Sequence, residues 1–295
     1  MLFKEIFRVI GFFLYFFALA LVVPLGIGLY YELYADPSLH PHPNVNGSFL
    51  ISIVIVLVLA LLFSYIGRKA KGYIYRREGI ATVVIIWFII PALGALPFLI
   101  SGTLKNPLQA YFEITSGFTT TGASILAAKK YDPVTHQEIP IQVIAEDVVP
   151  VHYSFYGTVD PVRDKKTNAI IYEGIEAVSP ALLFWRSMTQ WLGGGGIIVL
   201  FVAILPALGV GGKMLFHTEV TGPIKDSLTP RIKETAIQLW KIYCILTISQ
   251  ILMLMFTNPQ IHLFDAIATT FSTISTGGFS EIGRASCRER VSSPV

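Results

Sequence analysis

Five long apolar segments are the feature that most constrains the fold of this chain. They cover residues 9–31, 49–66, 80–100, 180–210 and 235–256. An α-helix needs roughly 20 residues to cross the hydrocarbon core of a bilayer. Charged residues make up only 14% of the chain, against about a quarter in soluble domains, and the mean hydropathy is +0.63. The sequence therefore predicts an all-α integral membrane protein.

A basic cluster between the second and third segments predicts how the chain is oriented. Five basic residues lie close together there: Arg68, Lys69, Lys71, Arg76 and Arg77. The connector 32–47, by contrast, contains no Lys or Arg. Cytoplasmic loops carry an excess of Lys and Arg, so the cluster should be cytoplasmic. We therefore expect a cytoplasmic N-terminus, external residues 32–47 and 102–178, and cytoplasmic residues 67–78 and 211–234.

A polar stretch after the third segment, residues 110–124, is too short and too rich in hydroxyls to cross a bilayer. A short amphipathic helix, 108–117, is predicted to end in an extended turn, 119–122. Non-helical backbone at membrane depth is tolerated only where it is buried in protein or lines a watery cavity. Consecutive threonines ending in glycine suit a site for a bare cation, because the backbone can point successive carbonyl oxygens at one axis. A Thr-rich loop cap without a ligand explains this stretch alone equally well.

A second copy of the turn favours the cation site. A shift of 155 residues superimposes the two turns, pairing Thr120 with Ser275, Thr121 with Thr276, and Gly122 with Gly277. The second turn again follows a short helix-like run, 264–270, behind an apolar segment. Repeated units of span, short helix and glycine turn indicate parallel repeats around an axis along the membrane normal.

The fourth segment, 180–210, combines a charge with a run of four glycines, 193–196. A charge within a membrane helix is costly unless it snorkels to the surface or faces a protein interior. Arg186 therefore either has a role inside the protein or lies at the outer interface, with Trp185 and Trp191 as interfacial belt residues. The glycines permit close helix approach or bending, and close packing is the explanation we favour.

Residues 127–178 predict a small external insert. A β-like patch covers 141–156, and a hairpin-like stretch covers 164–172. The insert carries five basic and eight acidic residues, an acidic excess that could gather cations, although a solvated loop is the interpretation we favour. After residue 280 the chain continues without a further apolar span. We therefore expect a truncated sequence with a non-native tail at 281–295.

Several other function classes are disfavoured by the sequence. A net charge of +3 is too small to indicate nucleic acid as a partner. Cys244, in an apolar span, and Cys287, in a polar stretch, provide no disulfide or metal framework. The chain lacks His-Glu-x-x-His, Gly-x-Ser-x-Gly and P-loop motifs, so we do not expect an enzyme.

Four motifs together resemble the Trk/Ktr/HKT superfamily of potassium transporters, and specifically its bacterial TrkH/TrkG branch. They are Gly-Phe-Thr-Thr-Thr-Gly-Ala-Ser at 117–124, Arg-Ser-Met-Thr-Gln-Trp-Leu-Gly-Gly-Gly-Gly-Ile-Ile-Val-Leu at 186–200, Ile-Leu-Pro-Ala-Leu-Gly-Val-Gly-Gly at 204–212, and Ser-Thr-Gly-Gly-Phe-Ser at 275–280. The resemblance covers about residues 1–280 and is specific because the motifs occur together.

The resemblance implies four repeats of membrane helix, pore helix, filter turn and membrane helix around a pseudo-fourfold potassium path. The K⁺ ligands in this chain would be the backbone carbonyls of Thr120, Thr121, Gly122, Ser275, Thr276 and Gly277. The structural or gating candidates are Arg186, Gln190, Gly193 and Gly194. Arg186 should contact a neighbouring pore helix or filter backbone rather than K⁺, because like charges repel and its planar fork suits carbonyl or carboxylate acceptors.

The resemblance also implies a domain organisation and partners. Residues 1–78 would form two N-terminal transmembrane helices, 79–212 the first pore repeat, and 213–280 a cytoplasmic linker with part of a second repeat. The implied function is K⁺ uptake across the bacterial inner membrane. The implied assembly is a homodimer gated by a cytosolic ring that binds an NAD- or ATP-type nucleotide. No cofactor other than the transported K⁺ is expected.

A secondary carrier for a small anion or another solute is the alternative function. Such carriers use broken helices whose N-terminal ends face the substrate. In this chain the short helices precede their turns, so that their C-terminal ends and free carbonyls face the turns. That polarity suits cations.

Overall fold

The structure is a computed structural model that describes residues 3–34, 44–70, 76–132, 135, 137–145, 151–164, 167–208 and 228–280. In these ranges the α-helices are α1 (Phe3–Tyr34), α2 (Asn46–Gly67), α3 (Arg76–Gly94), α4 (Leu96–Ile100), α5 (Pro107–Phe118), α6 (Pro180–Leu208), α7 (Leu228–Thr257) and α8 (Leu263–Ile274). The all-α membrane fold that the sequence predicts is confirmed.

Four helical stretches in the described part of the chain are long and apolar enough to cross a membrane. They are Phe3–Tyr34, Asn46–Gly67, Arg77–Ile100 and Ile237–Thr257. Helix α6 extends over 29 residues and covers nearly all of the remaining predicted segment, 180–210. Apolar side chains are also exposed along these helices, such as Phe12 at 65% and Leu61 at 60%. A helix that is apolar on every face is typical of a membrane environment.

Helix α6 lies at the centre of the described structure. It packs against α1, α5, α7 and α8, whereas α1 and α2 pair with each other along their lengths. The core that these helices share is apolar, and its fully buried members include Leu14, Leu21, Phe49, Val56 and Trp185. The Trp185 indole Nε1–H donates to the Gly94 carbonyl at 2.9 Å, which fixes α6 against the end of α3.

The two short helices, α5 and α8, are each 12 residues long and re-enter the helical bundle. Asn106 caps α5, because its Oδ1 accepts a hydrogen bond from the Leu108 amide at 2.9 Å, and Pro107 occupies the first turn. Both features favour helix initiation. The predicted helix at 108–117 is confirmed, and the second short helix extends beyond the predicted 264–270.

The insert forms three two-stranded antiparallel sheets. Its strands are β1 (Lys130–Tyr131), β2 (Glu138–Ile139), β3 (Ile141–Ala145), β4 (Val151–Phe155), β5 (Val162–Arg163) and β6 (Ile170–Tyr172), paired in that order. The longest pair aligns Ile141 with Phe155, which confirms the predicted β-like patch at 141–156. A 3₁₀ turn, Gly174–Ala177, then leads into α6.

Some predictions concern residues outside the described ranges. These are the conformation of most of the connector 32–47, of Lys71, of residues 211–227 in the expected cytoplasmic segment, and of the expected tail 281–295.

Candidate cation-binding site

Each short helix ends in a turn of the same construction. The Thr121 amide donates to the Ser116 carbonyl at 3.0 Å, and the Gly277 amide donates to the Ser272 carbonyl at 2.8 Å. Each helix end also has a hydroxyl that bonds back to the helix. Thr119 Oγ1 donates to the Thr115 carbonyl and Ser275 Oγ donates to the Phe271 carbonyl, both at 2.8 Å. These bonds satisfy carbonyls at each helix end and direct the chain into the turn.

The backbone dihedrals of the two turns correct the predicted pairing of residues. Thr120 and Thr276 have φ of +53° and +56°, and Gly122 and Gly278 have φ of +74° and +77°. The shift is therefore 156 residues, so Gly122 corresponds to Gly278 rather than Gly277, and Thr120 corresponds to Thr276 rather than Ser275. The residue types alone were ambiguous, because the second copy has two adjacent hydroxyl residues and two adjacent glycines. Only one register matches the positive φ values.

The two turns meet at their backbones. A Cβ atom at Gly122 would collide with the carbonyl oxygen of Gly277. Within the described residues, no hydrogen bond reaches the backbone carbonyls of Thr120, Thr121, Gly122, Thr276, Gly277 or Gly278. Backbone carbonyls are strong acceptors that are normally satisfied by protein, water or ligand. In the described part of the chain, the two turns thus lie against each other and carry six carbonyl oxygens that accept no hydrogen bond.

A buried ion pair lies beside the turns. Arg186 is 2% exposed and Glu113, on α5, is fully buried. The Arg186 Nε–H donates to Glu113 Oε1 at 2.5 Å, and Nη1–H donates to the Ser280 carbonyl at 3.1 Å. Glu113 also accepts from the Ile125 amide at 2.8 Å and from Ser124 Oγ at 3.0 Å. Glu113 thus holds the chain after the first turn, and Arg186 holds the chain after the second.

The predicted structural role of Arg186 agrees with these contacts, because its partners are a pore-helix carboxylate and a backbone carbonyl. The alternative, in which Arg186, Trp185 and Trp191 lie at the outer membrane interface, is wrong. Trp185 is fully buried, and the Trp191 Nε1–H donates to Thr247 Oγ1 on α7 at 3.0 Å. Arg186 therefore faces a protein interior.

The glycine run on α6 lets three elements approach closely. A Cβ at Gly193 would collide with the Phe118 carbonyl at the end of α5. At Gly194 it would lie 3.0 Å from Ser275 Cβ, and at Gly195 it would lie 2.7 Å from the Trp240 ring. Close packing, which we favoured from the sequence, therefore accounts for glycine at three of the four positions. At Gly196, no atom of the described residues lies within 4 Å of such a Cβ.

In the acidic insert, the carboxylate of Asp160 is not free, because three neighbouring side chains engage it. Asp160 accepts hydrogen bonds from Lys129 Nζ at 2.8 Å and from the Tyr131 hydroxyl at 2.7 Å, and Lys105 lies 3.9 Å away. Burial raises the pKa of Asp160, but these hydrogen bonds and lysine charges outweigh burial, so the pKa lies below its ordinary value. The contacts are therefore present at neutral pH and are lost as the pH falls through the lowered pKa.

The structure brings the sequence candidates to one place. Gln190, Gly193 and Gly194 of α6 all contact the ends of the short helices or the turns. The sequence analysis missed Glu113, Gly278 and Phe279. A signal for Glu113 was present, since an acid within an apolar re-entrant helix is by default a functional candidate. Phe279 carried no such signal.

Comparisons with known proteins identify the family. The TrkH family model, described as a cation transport protein, matches residues 163–288. The TrkH potassium uptake protein of Escherichia coli K12 is 34% identical over 280 residues, which cover 94% of this chain and 46% of that protein. The TrkG protein of the same strain is 29% identical over 272 residues, which cover 92% of this chain and 44% of TrkG.

A solved structure shows the same fold. The crystal structure of the potassium transporter TrkH from Vibrio parahaemolyticus matches with a TM-score of 0.65 and 30% identity, covering 96% of this chain and 45% of the transporter. The chain thus spans about half the length of the curated relatives that it matches. It belongs to the TrkH family of cation transport proteins.

Proposed function

We propose that this chain contributes to a pore-forming subunit for potassium uptake, with K⁺ bound by the backbone carbonyls of the two turns. The observation that carries the proposal is the meeting of the turns. Two copies with the same signs of φ lie backbone to backbone, and within the described residues their six carbonyls accept no hydrogen bond. A ring of such carbonyls can replace the hydration shell of a potassium ion.

The dihedrals support ligation by consecutive carbonyls. In each turn the first and third residues have positive φ, and the residue between them, Thr121 or Gly277, does not. A residue of negative φ between two residues of positive φ can orient successive peptide planes alike. Consecutive carbonyl oxygens can then line one side of the strand, as a cation path requires. We therefore propose Thr276, Gly277 and Gly278 as the second set of ligands, with Ser275 as a helix-capping hydroxyl.

The polarity of the short helices favours a cation over an anion. The C-terminal ends of α5 and α8 lead directly into the turns. A helix C-terminus carries partial negative charge and stabilises cations, whereas an anion carrier would direct N-terminal ends at its substrate. Arg186, whose Nη1–H donates to the carbonyl of Ser280 just after the second turn, is paired with Glu113. Potassium rather than another cation is proposed because the matched relatives carry the description of potassium uptake proteins.

The complete path would need further carbonyls. We propose four repeats around a pseudo-fourfold axis, of which this chain supplies 79–212 and most of a second repeat within 213–280, behind two N-terminal helices in 1–78. The family resemblance further supports a homodimer in the bacterial inner membrane and a cytosolic nucleotide-binding ring as the gating partner. These assignments extend the proposal from the turns to the assembly.

Rubidium uptake tests the proposal. The chain would be joined to the part of Escherichia coli TrkH that it does not match and expressed in potassium-starved cells that lack their own uptake systems. We expect ⁸⁶Rb⁺ uptake that K⁺ competes effectively and Na⁺ competes weakly. Uptake that neither cation competes, or growth restored only by an anionic solute, would favour the carrier and contradict the proposal.

Cysteine labelling tests the proposed orientation. In a version without native cysteines, Asp160→Cys in the insert should react with a membrane-impermeant maleimide added to intact cells. Lys69→Cys, in the basic cluster after α2, should react only after the membrane is permeabilised. The physical reason is the preference of basic loops for the cytoplasm. Labelling of position 69 in intact cells would reverse the orientation.

A further inference from the structure

Gln190 forms a hydrogen bond to the residue after the second turn and, within the described residues, forms none to the first turn. Its side chain is fully buried on α6, and its Oε1 accepts a hydrogen bond from the Phe279 amide at 3.2 Å. The same amide group fills the space beside Gly277, because a Cβ at that position would lie 2.6 Å from both Nε2 and Oε1. Gln190 and Gly277 therefore form a matched pair in which one side chain takes the volume that the other residue lacks.

Phe279, the residue that follows the second turn, is held from three directions. Gln190 accepts from its amide, and Ser272 Oγ donates to its carbonyl at 2.5 Å. The guanidinium carbon of Arg186 lies 3.6 Å from the centre of its ring. Displacing Gln190 would break its hydrogen bond with the Phe279 amide. Of these three contacts, that bond is the closest in sequence to the second turn.

The first turn is built differently at the equivalent positions. A shift of 156 residues places Thr121 on Gly277 and Ala123 on Phe279. Thr121 is tied locally, because its Oγ1 lies 2.8 Å from Thr119 Oγ1 in a hydrogen bond. In the described structure, Gln190 makes no hydrogen bond to that turn. The two turns thus share the same signs of φ but are held by different side-chain contacts.

We propose that Gln190 is a positioning residue for ion selection, which holds the second turn in register with the first by filling the space beside Gly277 and bonding to Phe279. The proposal rests on the proposed function, because it assumes that the two turns form one cation path. It assigns a selectivity role to a side chain that does not itself face the ion.

A double-mutant cycle tests the pair. In the TrkH fusion, Gly277→Ala should displace the Gln190 amide, and Gln190→Ala should remove it. Each change should lower the ratio of ⁸⁶Rb⁺ to ²²Na⁺ uptake by about tenfold, which corresponds to roughly 1.4 kcal/mol. Both changes break the same contact, so the double variant should lose about tenfold as well rather than about a hundredfold. Independent effects that multiply would overturn the proposal.

A control variant and a second readout complete the design. Thr121→Ala occupies the equivalent position in the first turn, and its effect should multiply with that of Gln190→Ala. The thermal unfolding midpoint of the purified variants should show the same coupling between positions 190 and 277. Absence of that coupling refutes the pairing whether or not the protein transports ions. Coupled unfolding with an unchanged uptake ratio in every variant would overturn the selectivity role. Absence of ⁸⁶Rb⁺ uptake in the parent fusion would instead reject the proposed function.

Discussion

Gly122→Ser is expected to remove most discrimination between K⁺ and Na⁺ in the TrkH fusion. Gly122 has φ of +74°, and any Cβ there collides with the backbone oxygen of Gly277. The left-handed region alone costs an L-residue about 1–2 kcal/mol. The collision adds more, because a carbonyl oxygen of the site must move rather than a flexible side chain. We expect the ratio of ⁸⁶Rb⁺ to ²²Na⁺ uptake to fall by tenfold or more, since each roughly 1.4 kcal/mol corresponds to a factor of ten.

Two matched variants separate the causes of this effect. Gly278 has φ of +77°, but among the described residues no atom lies within 4 Å of a Cβ there. Gly278→Ser therefore reports dihedral strain without a collision and should reduce the ratio less than Gly122→Ser. Ala123→Ser lies one residue beyond the proposed ligands and should change the ratio far less than either. Parental selectivity in both glycine variants would mean that these turns do not select the ion.

Arg186→Gln is expected to have a large effect on folding. It would leave the fully buried Glu113 without its charge partner, and breaking a buried ion pair from one side costs about 3–5 kcal/mol. The stacking of the guanidinium on Phe279 would also be lost, a contact worth about 0.5–2 kcal/mol. The yield of folded protein and its thermal unfolding midpoint should both fall. Any protein that does assemble should still favour K⁺ over Na⁺, because the side chain that fills the space beside Gly277 is Gln190 rather than Arg186.

The partner residue provides the control for that prediction. Arg186→Met combined with Glu113→Gln removes both charges and keeps an acceptor for the Ile125 amide, which Glu113 now binds. This double variant should unfold at a higher temperature than Arg186→Gln alone, because no buried charge remains uncompensated. Arg186→Lys should be poorly tolerated, since an ammonium group cannot reproduce the fork that reaches both Glu113 and Ser280. Equal stability of the single and double variants would show that the ion pair is not the source of the effect.

The sequence predicted the helices well because its signals there are long and local. Apolar segments of membrane-spanning length and the Asn106–Pro107 start of α5 depend on neighbouring residues alone. The role of Arg186 was harder, because the same charge near two tryptophans is compatible with a membrane interface or a protein interior. The position of Glu113, 73 residues away in the chain, and the burial of Trp185 decide between them.

The register of the second turn could not be obtained from residue types. Ser275-Thr276-Gly277-Gly278 matches Thr120-Thr121-Gly122 at one shift and Thr119-Thr120-Thr121-Gly122 at the next. The signs of φ agree with the second alignment, the shift of 156 residues. They depend on where α8 ends rather than on which residue types match. The support of Phe279 by Gln190 and Arg186 depends on contacts across about 90 residues, so no local pattern reports it.

Anomalous diffraction from crystals of the fusion protein grown in Rb⁺ would locate the bound cation. We expect a rubidium peak between the two turns, within ligand distance of the carbonyl oxygens of Thr120–Gly122 and Thr276–Gly278. Excess Na⁺ added to these crystals should leave most of the rubidium peak in place, because Na⁺ fits a potassium-sized set of carbonyls poorly. Well-ordered turns with no peak between them, and rubidium bound instead beside the acidic insert at Asp160, would contradict the account.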